Sequence, residues 1–479
     1  MSLSGRLSLA PGLWILAGCG GVSPPAEQET NVPTPAGPNV VLISIDSLRA
    51  AHLGTYGYER STSPNIDRLA NDGVVFENHI SSTSWTLPAH AAIFSSLPDS
   101  VHGCTDTDRI LADEVTTLAE VFAAAGYHTA GFFAGPYLHP AFGLGQGFEH
   151  YENCTSYARA LDDSPPQRWA ADMDVMHRSH RDITNPTVYK AFTRWLHQPR
   201  PGRFFVFVHL WDVHYDFIPP APYDTMFDPE YYGPVTGENC LLDPAINAGM
   251  PPRDLEHLVA LYDGEIAWTD EYVGRLVANL EAAGVLEETV IVITSDHGTA
   301  FFEHGLKGHR NSLFDELIRV PLVIRYPAKI APGARVRAQT RAIDIGPTLM
   351  ELAGLPAPDR VMGETLMGLA GAGELDFDNT AVSELFSVGQ RVRTVRTLQW
   401  KFYDVMVSDS RYWTNLLTDP AEHMLQPMAP GVSEKLEARY REIAADLSRR
   451  RQASHPDQAP PTIPPEIRRQ LEALGYVGE

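Results

Sequence analysis

The sequence predicts an α/β fold: an open, mostly parallel sheet flanked by helices, followed by a smaller C-terminal α+β subdomain. Three observations predict it. Continuous apolar, largely β-branched runs at Val40–Ile45, Phe204–His209 and Val290–Ile293 have the composition of strands buried on both faces. These runs alternate with amphipathic segments of helical period. After about residue 375 the pattern changes to shorter alternating segments and one polar helix.

The elements follow in order. Arg6 and the apolar run Leu7–Gly18, broken by Pro11, fit the start of an export signal, since the run is too short to span a bilayer. It ends in Leu16-Ala17-Gly18-Cys19, a lipobox-like string that predicts lipidation of Cys19; an ordinary signal peptide with an incidental cysteine is the other reading. Residues 20–38 are rich in Gly, Pro, Ser and Thr and read as a solvated tether. The expected location is the bacterial cell envelope, reached by export, with the membrane met only through the lipid anchor. The main unit is expected over 39–375, the C-terminal subdomain over 376–451, and a Pro-rich tail with a short helix, Pro465–Leu474, over 452–479.

Within the main unit, Val40–Ile45 is the first strand, and Ser63-Pro64 opens a helix through Ile66 and Leu69. Asp113–Ala125 reads as a helix with Val115, Leu118, Val121 and Phe122 on one face, ended by Gly126. Thr129–Phe133 and Phe204–His209 read as strands. Leu255–Ala283 reads as a long helix, because Leu255, Leu258, Tyr262, Ile266, Val273, Leu276 and Leu280 fall on one face. Val290–Ile293 and Leu322–Ile324 complete the sheet. Thr380–Tyr403 carries the alternating segments, and Ser433–Leu447 the last large helix.

Charge and cysteine content bound the function. Lys and Arg number 37 against 60 Asp and Glu, a formal net charge of −23 that excludes nonspecific coating of nucleic acid or an anionic bilayer. A small anionic ligand then needs a local cation. Cys104, Cys154 and Cys240 allow one internal bridge at most, between any two of them, and the lack of Cys-x-x-Cys argues against a zinc ribbon or a thioredoxin-like site. No segment specifies an oligomeric state.

The chemistry concentrates at strand ends. Asp46 follows the first strand, and Asp296-His297 follows Val290–Ile293. In open α/β sheets ligands bind beyond the carboxyl ends of strands, so two distant segments deliver two carboxylates and an imidazole to one edge. That is a divalent-metal ligand set, although a single polar residue at a strand end also serves as a turn cap. Ser84-Trp85-Thr86-Leu87-Pro88-Ala89-His90 places a hydroxyl at a helix start, where Thr86 is either a nucleophile or only an N-cap. His209-Leu210-Trp211-Asp212-Val213-His214 supplies groups to protonate a leaving group or bind a second metal. Glu303-His304-Gly305-Leu306-Lys307-Gly308-His309 adds a further cluster, with Lys307 and His309 as candidates.

Taken in order, these segments resemble the sulfatase family of the alkaline-phosphatase superfamily. The resemblance also rests on Tyr56-Gly57-Tyr58, Ser63-Pro64-Asn65-Ile66-Asp67, Gly147-Phe148-Glu149, Tyr262-Asp263-Gly264-Glu265-Ile266, Val320-Pro321-Leu322 and Asp344-Ile345-Gly346-Pro347-Thr348. Asp419-Pro420-Ala421-Glu422 and Leu474-Gly475-Tyr476-Val477-Gly478 extend it to the C-terminus. The resemblance implies an alkaline-phosphatase-like sheet with one divalent metal at its carboxyl edge, held by Asp46, Asp296 and His297. It implies Thr86 as nucleophile, His209, His214 and His309 as catalytic groups, and His90, Asp212 and Lys307 as substrate-binding groups. The implied partner is a small anionic ester.

The departures from the family pattern are chemical. Sulfatases carry Cys or Ser in Cys/Ser-x-Pro-Ser-Arg and convert it to formylglycine; here Thr86, Ala89 and His90 stand in those places. The methyl on threonine Cβ prevents oxidation to an aldehyde, so no formylglycine is expected at Thr86. A Thr-sulfate ester lacks the elimination exit that the aldehyde hydrate provides. A Thr-phosphate ester is hydrolysed by attack on phosphorus, so phosphoester or phosphonate substrates are expected before sulfate. Ser47 and Ala51 replace family aspartates, and Phe133-Ala134-Gly135-Pro136 replaces Gly-Lys-Trp-His. Fewer carboxylates plus a histidine turn the expected metal from Ca²⁺ towards Mn²⁺ or Zn²⁺. The competing functions are a phosphoryl-group transferase and a catalytically inactive surface binding protein with the same fold.

Overall fold

Asn39–Ile45 is buried along its whole length because it runs through the middle of a sheet covered on both faces. The computed structural model describes residues 37–155, 182–372, 380–387, 389–427, 432–454, 462–465 and 468. The predicted export signal, Cys19, all of the tether but its last two residues, and most of the predicted Pro465–Leu474 helix lie outside the described residues.

Eight strands form the main sheet: β1 (Asn39–Ile45), β2 (Val74–Ile80), β3 (His128–Phe133), β4 (His150–Asn153), β5 (Phe204–Leu210), β6 (Thr289–Thr294), β7 (Leu322–Arg325) and β8 (Ala334–Arg341). Their spatial order is β8-β2-β7-β6-β1-β5-β3-β4, and a two-residue strand, Arg319–Val320, pairs with β2 as a ninth. β6, β1, β5, β3 and β4 are all parallel. β7 runs antiparallel to β2 and β6, and β8 pairs with β2 in parallel. The sheet is therefore mostly parallel, as expected.

Side-chain alternation sorts the strand residues into two layers. Val40, Leu42, Phe205, Phe207, Val290 and Val292 share one core with residues of two helices, α2 (Thr86–Ser95) and α3 (Leu118–Ala124), which follow α1 (Pro64–Asn71) in the chain. Val41, Ile43, Ile45, Val206, Val208, Ile291 and Ile293 share the other with α1, α4 (Asn185–Leu196) and the long α5 (Pro252–Ala282). Truncating one of the central aliphatic residues, such as Ile43→Ala, costs about 2–5 kcal/mol in such a core.

The structure corrects several expectations. α3 starts at Leu118, not Asp113: the Thr117 hydroxyl accepts from Glu120 N and the Glu120 carboxylate accepts from Thr117 N, a capping box that sets the first turn. β2 and β8 were not among the expected strands. β2 carries Glu77, Asn78 and His79, and β8 exposes Arg335 and Arg337 near the sheet edge, so neither reads as a continuous apolar run. Cys104, Cys154 and Cys240 are buried, and no disulfide joins any two of them.

The C-terminal unit is a five-stranded antiparallel sheet: β9 (Ala381–Ser387), β10 (Gln390–Arg396), β11 (Trp400–Val405), β12 (Ser410–Asn415) and β13 (Gln426–Pro427). A helix, α6 (Val432–Ser454), covers it through Tyr440, which packs on Phe402 and Val395. The sheet is tied to the segment before α2: Glu384 N donates to Ser82 O at 2.7 Å, and Ser383 Oγ to Ser81 O at 2.6 Å. A buried ion-pair group adds to this joint, with Asp315 2.7 Å from Arg396 and 2.9 Å from Lys401.

Candidate active site

Because β1, β5 and β6 are parallel neighbours, their carboxyl ends meet on one edge. Asp46 continues β1, its N–H bonded to Leu210 O of β5 at 3.0 Å, and Asp296-His297 lies just past β6. Asp46, Asp296 and His297 are fully buried, and a ligating atom from each lies within 4.8 Å of the others. His297 Nε2 is 3.4 Å from Asp296 Oδ2 and 3.8 Å from Asp46 Oδ1. Its Nδ1 is 2.8 Å from Gly298 O. A carbonyl only accepts, so the proton sits on Nδ1 and Nε2 turns a lone pair to the carboxylates.

Two carboxylates and an imidazole lone pair in a dry site are costly without a cation. Burial opposes ionisation of both acids. At Asp46 the surrounding imidazoles of His209, His214 and His297, cations whenever they are protonated, outweigh it and hold the carboxyl far below its ordinary range. At Asp296 burial is joined by the negative charge of Asp46, and its pKa rises to about 6. Opposed shifts are what two carboxylates in one site produce. Asp296 Oδ2 and His209 Nε2 are buried without hydrogen-bond partners. These two orphaned atoms, one an oxygen donor and one a nitrogen donor, fit a divalent cation.

Thr86 completes the cluster. It is the first residue of α2, after an extended Trp85 in the cap position, so it is not the N-cap. Its Oγ1 lies 3.3 Å from Asp46 Oδ2 and 3.4 Å from His297 Nε2. Ser47, at a left-handed φ of 57°, donates from its hydroxyl to Asp46 Oδ1 at 2.9 Å and from its N–H to Asp296 Oδ1 at 3.2 Å. Ser47 thus orients both carboxylates.

The histidines divide by role. His209 Nδ1 donates to Ala134 O at 2.9 Å, and its Nε2 faces Asp46 Oδ2 at 3.5 Å. His309 stacks on His297, with ring centres 4.4 Å apart, and on Tyr215 at 5.0 Å. Burial, then the neighbouring His297, keeps His309 well below the usual imidazole range. His214 packs edge-on to His309 at 5.0 Å and donates from Nδ1 to Tyr215 O at 2.6 Å. His209, His214 and His309 therefore gather around the cluster.

Of the three predicted substrate-binding residues, Asp212 and Lys307 are not turned to it, while His90 lies at its edge, Nδ1 3.8 Å from Asp296 Oδ2, with both ring nitrogens bonded elsewhere. His90 lies one turn along α2, its Nδ1 bonded to Thr86 O at 2.8 Å and its Nε2 to Ser44 Oγ at 3.0 Å. Burial lowers its pKa to about 3, so it is a neutral brace for the Thr86 backbone. Asp212 is consumed at the start of α4, accepting from Thr184 N at 2.7 Å, Thr184 Oγ1 at 2.6 Å, Asn185 N at 3.1 Å and Trp268 Nε1 at 2.9 Å. Lys307 Nζ donates to the backbone oxygens of Ile246 at 2.6 Å and Asp243 at 3.2 Å. Sequence reasoning missed Arg310. Its N–H donates to Ser84 O at 2.9 Å and its guanidinium lies 4.0 Å from the Trp85 ring centre, so it holds the segment before Thr86. Adjacency to His309 was the one available signal.

Residues 38–355 match the sulfatase family model, and residues 302–445 match the model for the N-sulphoglucosamine sulphohydrolase C-terminal region. An ulvan-active sulfatase of Formosa agariphila is 27% identical over 445 residues, covering 86% of this chain and 82% of that protein. An N-acetylglucosamine-6-O-sulfatase of Bacteroides thetaiotaomicron is 25% identical over 409 residues, covering 71% of each. The phosphonate monoester hydrolase of Agrobacterium radiobacter shares the fold with a TM-score of 0.70 at 23% identity, covering 86% of this chain and 96% of that one. Its counterpart from Silicibacter pomeroyi gives 0.68 at 22%, covering 86% and 96%. With the family match spanning the sheet, Thr86 and the carboxylate–histidine cluster, the chain belongs to the sulfatase family and is an ester hydrolase.

Proposed function

We propose that this protein is a metal-dependent hydrolase that uses Thr86 as its nucleophile, acts on phosphate or phosphonate esters in preference to sulfate esters, and is exported as a lipoprotein through Cys19. The observation that carries the reading is the Thr86 hydroxyl, 3.3 Å from Asp46 Oδ2 and 3.4 Å from His297 Nε2 at the start of α2. Asp46, Asp296 and His297 would hold the cation, with Mn²⁺ or Zn²⁺ favoured over Ca²⁺ by the imidazole donor. Bound there, it would lower the pKa of a nearby hydroxyl and neutralise charge on the transferred group.

The chain's own residues account for the remaining steps. Thr86 loses its proton to solvent, and Oγ1 bonds to phosphorus as the bond from phosphorus to the leaving oxygen breaks. Protonated His214 gives its proton to that oxygen. Water then attacks phosphorus and passes a proton to His214, while the Oγ1–phosphorus bond breaks and Thr86 regains a proton from solvent. His90 and Arg310 keep the Thr86 segment in place. The preference for phosphorus follows from the threonine methyl, which bars the aldehyde route. The shared fold with two phosphonate monoester hydrolases is consistent with it.

The test is a rate comparison on aryl phosphate, aryl phosphodiester, aryl phosphonate and aryl sulfate with Mn²⁺, Zn²⁺ or Ca²⁺, each against Thr86→Ala. Phosphoryl or phosphonyl turnover that vanishes in Thr86→Ala is expected, with an unmodified Thr86 by peptide mass. Dominant sulfate turnover would overturn the preference.

A further inference from the structure

Apart from the Thr86 cluster, a cavity of about 450 Å³ opens between the loop after α2 and the C-terminal sheet. Arg109, Arg391, Arg393 and Arg451 line it, in a chain whose formal net charge is −23. Two of these charges are already matched: Arg393 lies 2.6 Å from Glu384, and Arg109 lies 3.3 Å from Asp108. Arg391 and Arg451 have no carboxylate within 4.0 Å among the described residues. Asp99 also lines the cavity, but burial and the adjacent Glu384 push its carboxyl well above the ordinary range, towards the neutral form. The cavity wall thus keeps two uncancelled positive charges.

Ser100 gives an independent sign of a ligand. It is only 7% exposed, it lines the cavity, and its Oγ has no hydrogen-bond partner. Its N–H is spent on Glu384 Oε2 at 2.7 Å, so the hydroxyl alone remains for an occupant. A buried donor left unmet is destabilising, and a bound acceptor would relieve it. The cavity also communicates with the reaction site. Asp106 and Ser387, both in its wall, accept from Arg310 at 2.8 and 2.9 Å, and Arg310 lies against Trp85, next to Thr86.

We propose that this cavity binds a phosphate- or sulfate-type anionic group distinct from the one that reaches Thr86, held by Arg391, Arg451 and the Ser100 hydroxyl. Guanidinium forks and a hydroxyl donor match the oxygens of such a group. The group comes either from a remote part of the substrate or from a free anion.

The test is calorimetric titration of inorganic phosphate into the full chain carrying Thr86→Ala, with and without Arg391→Ala/Arg451→Ala. Both arginines are on the surface of the cavity, so the fold is expected to persist. Phosphate affinity should fall about tenfold in the paired variant and about threefold in Ser100→Ala, and Arg391→Lys/Arg451→Lys should restore part of it. Because this reads binding without turnover, it stands apart from the Thr86 reading. In chain with Thr86 intact, a tenfold rise in KM confined to aryl phosphates bearing a remote sulfate or carboxylate assigns the site to substrate. Unchanged KM values alongside weakened phosphate binding assign it to a free anion. Phosphate binding unaltered by the arginine and Ser100 variants overturns the proposal.

Discussion

His209 Nε2 faces Asp46 Oδ2 at 3.5 Å while Ala134 O holds its other nitrogen at 2.9 Å. The carbonyl claims the Nδ1 proton, so a neutral His209 sets a lone pair against a carboxylate. A proton on Nε2, or a cation beside it, removes that conflict. The same holds at Asp296 Oδ2, which is buried and unpartnered. The cluster is therefore built around positive charge that the side chains alone do not supply.

Removing metal should accordingly cost both stability and activity. Chelation is expected to lower the thermal midpoint and abolish turnover, with recovery on adding Mn²⁺ or Zn²⁺. Asp46→Asn should lose at least tenfold in metal affinity, read as metal content after dialysis. Full metal-free activity would contradict the assignment of Asp46, Asp296 and His297.

Asp212 should behave as a structural residue. Its oxygens accept from Thr184, Asn185 and Trp268. In Asp212→Asn the amide NH₂ would meet donors where an acceptor is needed, costing about 1–3 kcal/mol. The denaturation midpoint should fall while kcat/KM of the folded enzyme stays within about threefold. A large loss of kcat/KM at unchanged stability would return Asp212 to the site.

These cases show what the sequence could convey. The meeting of Asp46, Asp296 and His297 at one edge was legible because strand ends in a parallel sheet converge, and apolar runs mark strands well. Orientation was not legible. Asp212 and Lys307 sit in the same short segments as His214 and His309, yet their side chains turn to α4 and to the 243–246 backbone. His90 shares a helix with Thr86, but its contacts depend on Ser44, which lies on β1. β2 and β8 escaped notice because strands carrying charge towards an edge lose the apolar signature.

The joint to the C-terminal sheet should weaken in acid. Burial disfavours a charged Asp315, but Arg396 and Lys401 reverse this and hold its pKa well below the usual carboxylate range. A folded-state pKa below the unfolded one means that the native state binds fewer protons, so stability rises with pH through that window. The contribution is complete above the unfolded value, about pH 4, and is lost as pH falls below it. Asp315→Asn leaves the buried Lys401 with Glu422, at 2.9 Å, as its remaining carboxylate partner. A loss of about 3–5 kcal/mol is expected near pH 6. Urea midpoints should show that gap narrowing below about pH 4; a gap independent of pH would rule out the ion pairs as its source.

Thr86 can be separated from its surroundings by shape. Thr86→Val keeps the branched outline of a residue only 6% exposed and deletes the hydroxyl beside Asp46 and His297. Asp46, Asp296 and His297 remain, so metal content and thermal midpoint should stay close to those of the wild type. Turnover should fall by at least a thousandfold, on the order of 4 kcal/mol of transition-state stabilisation. Thr86→Ser restores a hydroxyl at the same backbone position and loses only the methyl. It should recover activity to within about tenfold to a hundredfold of wild type, because a freer rotamer positions the nucleophile less well. Equal rates in Thr86→Val and wild type, with metal retained in both, would mean that another group or water makes the attack and that Thr86 only lines the site.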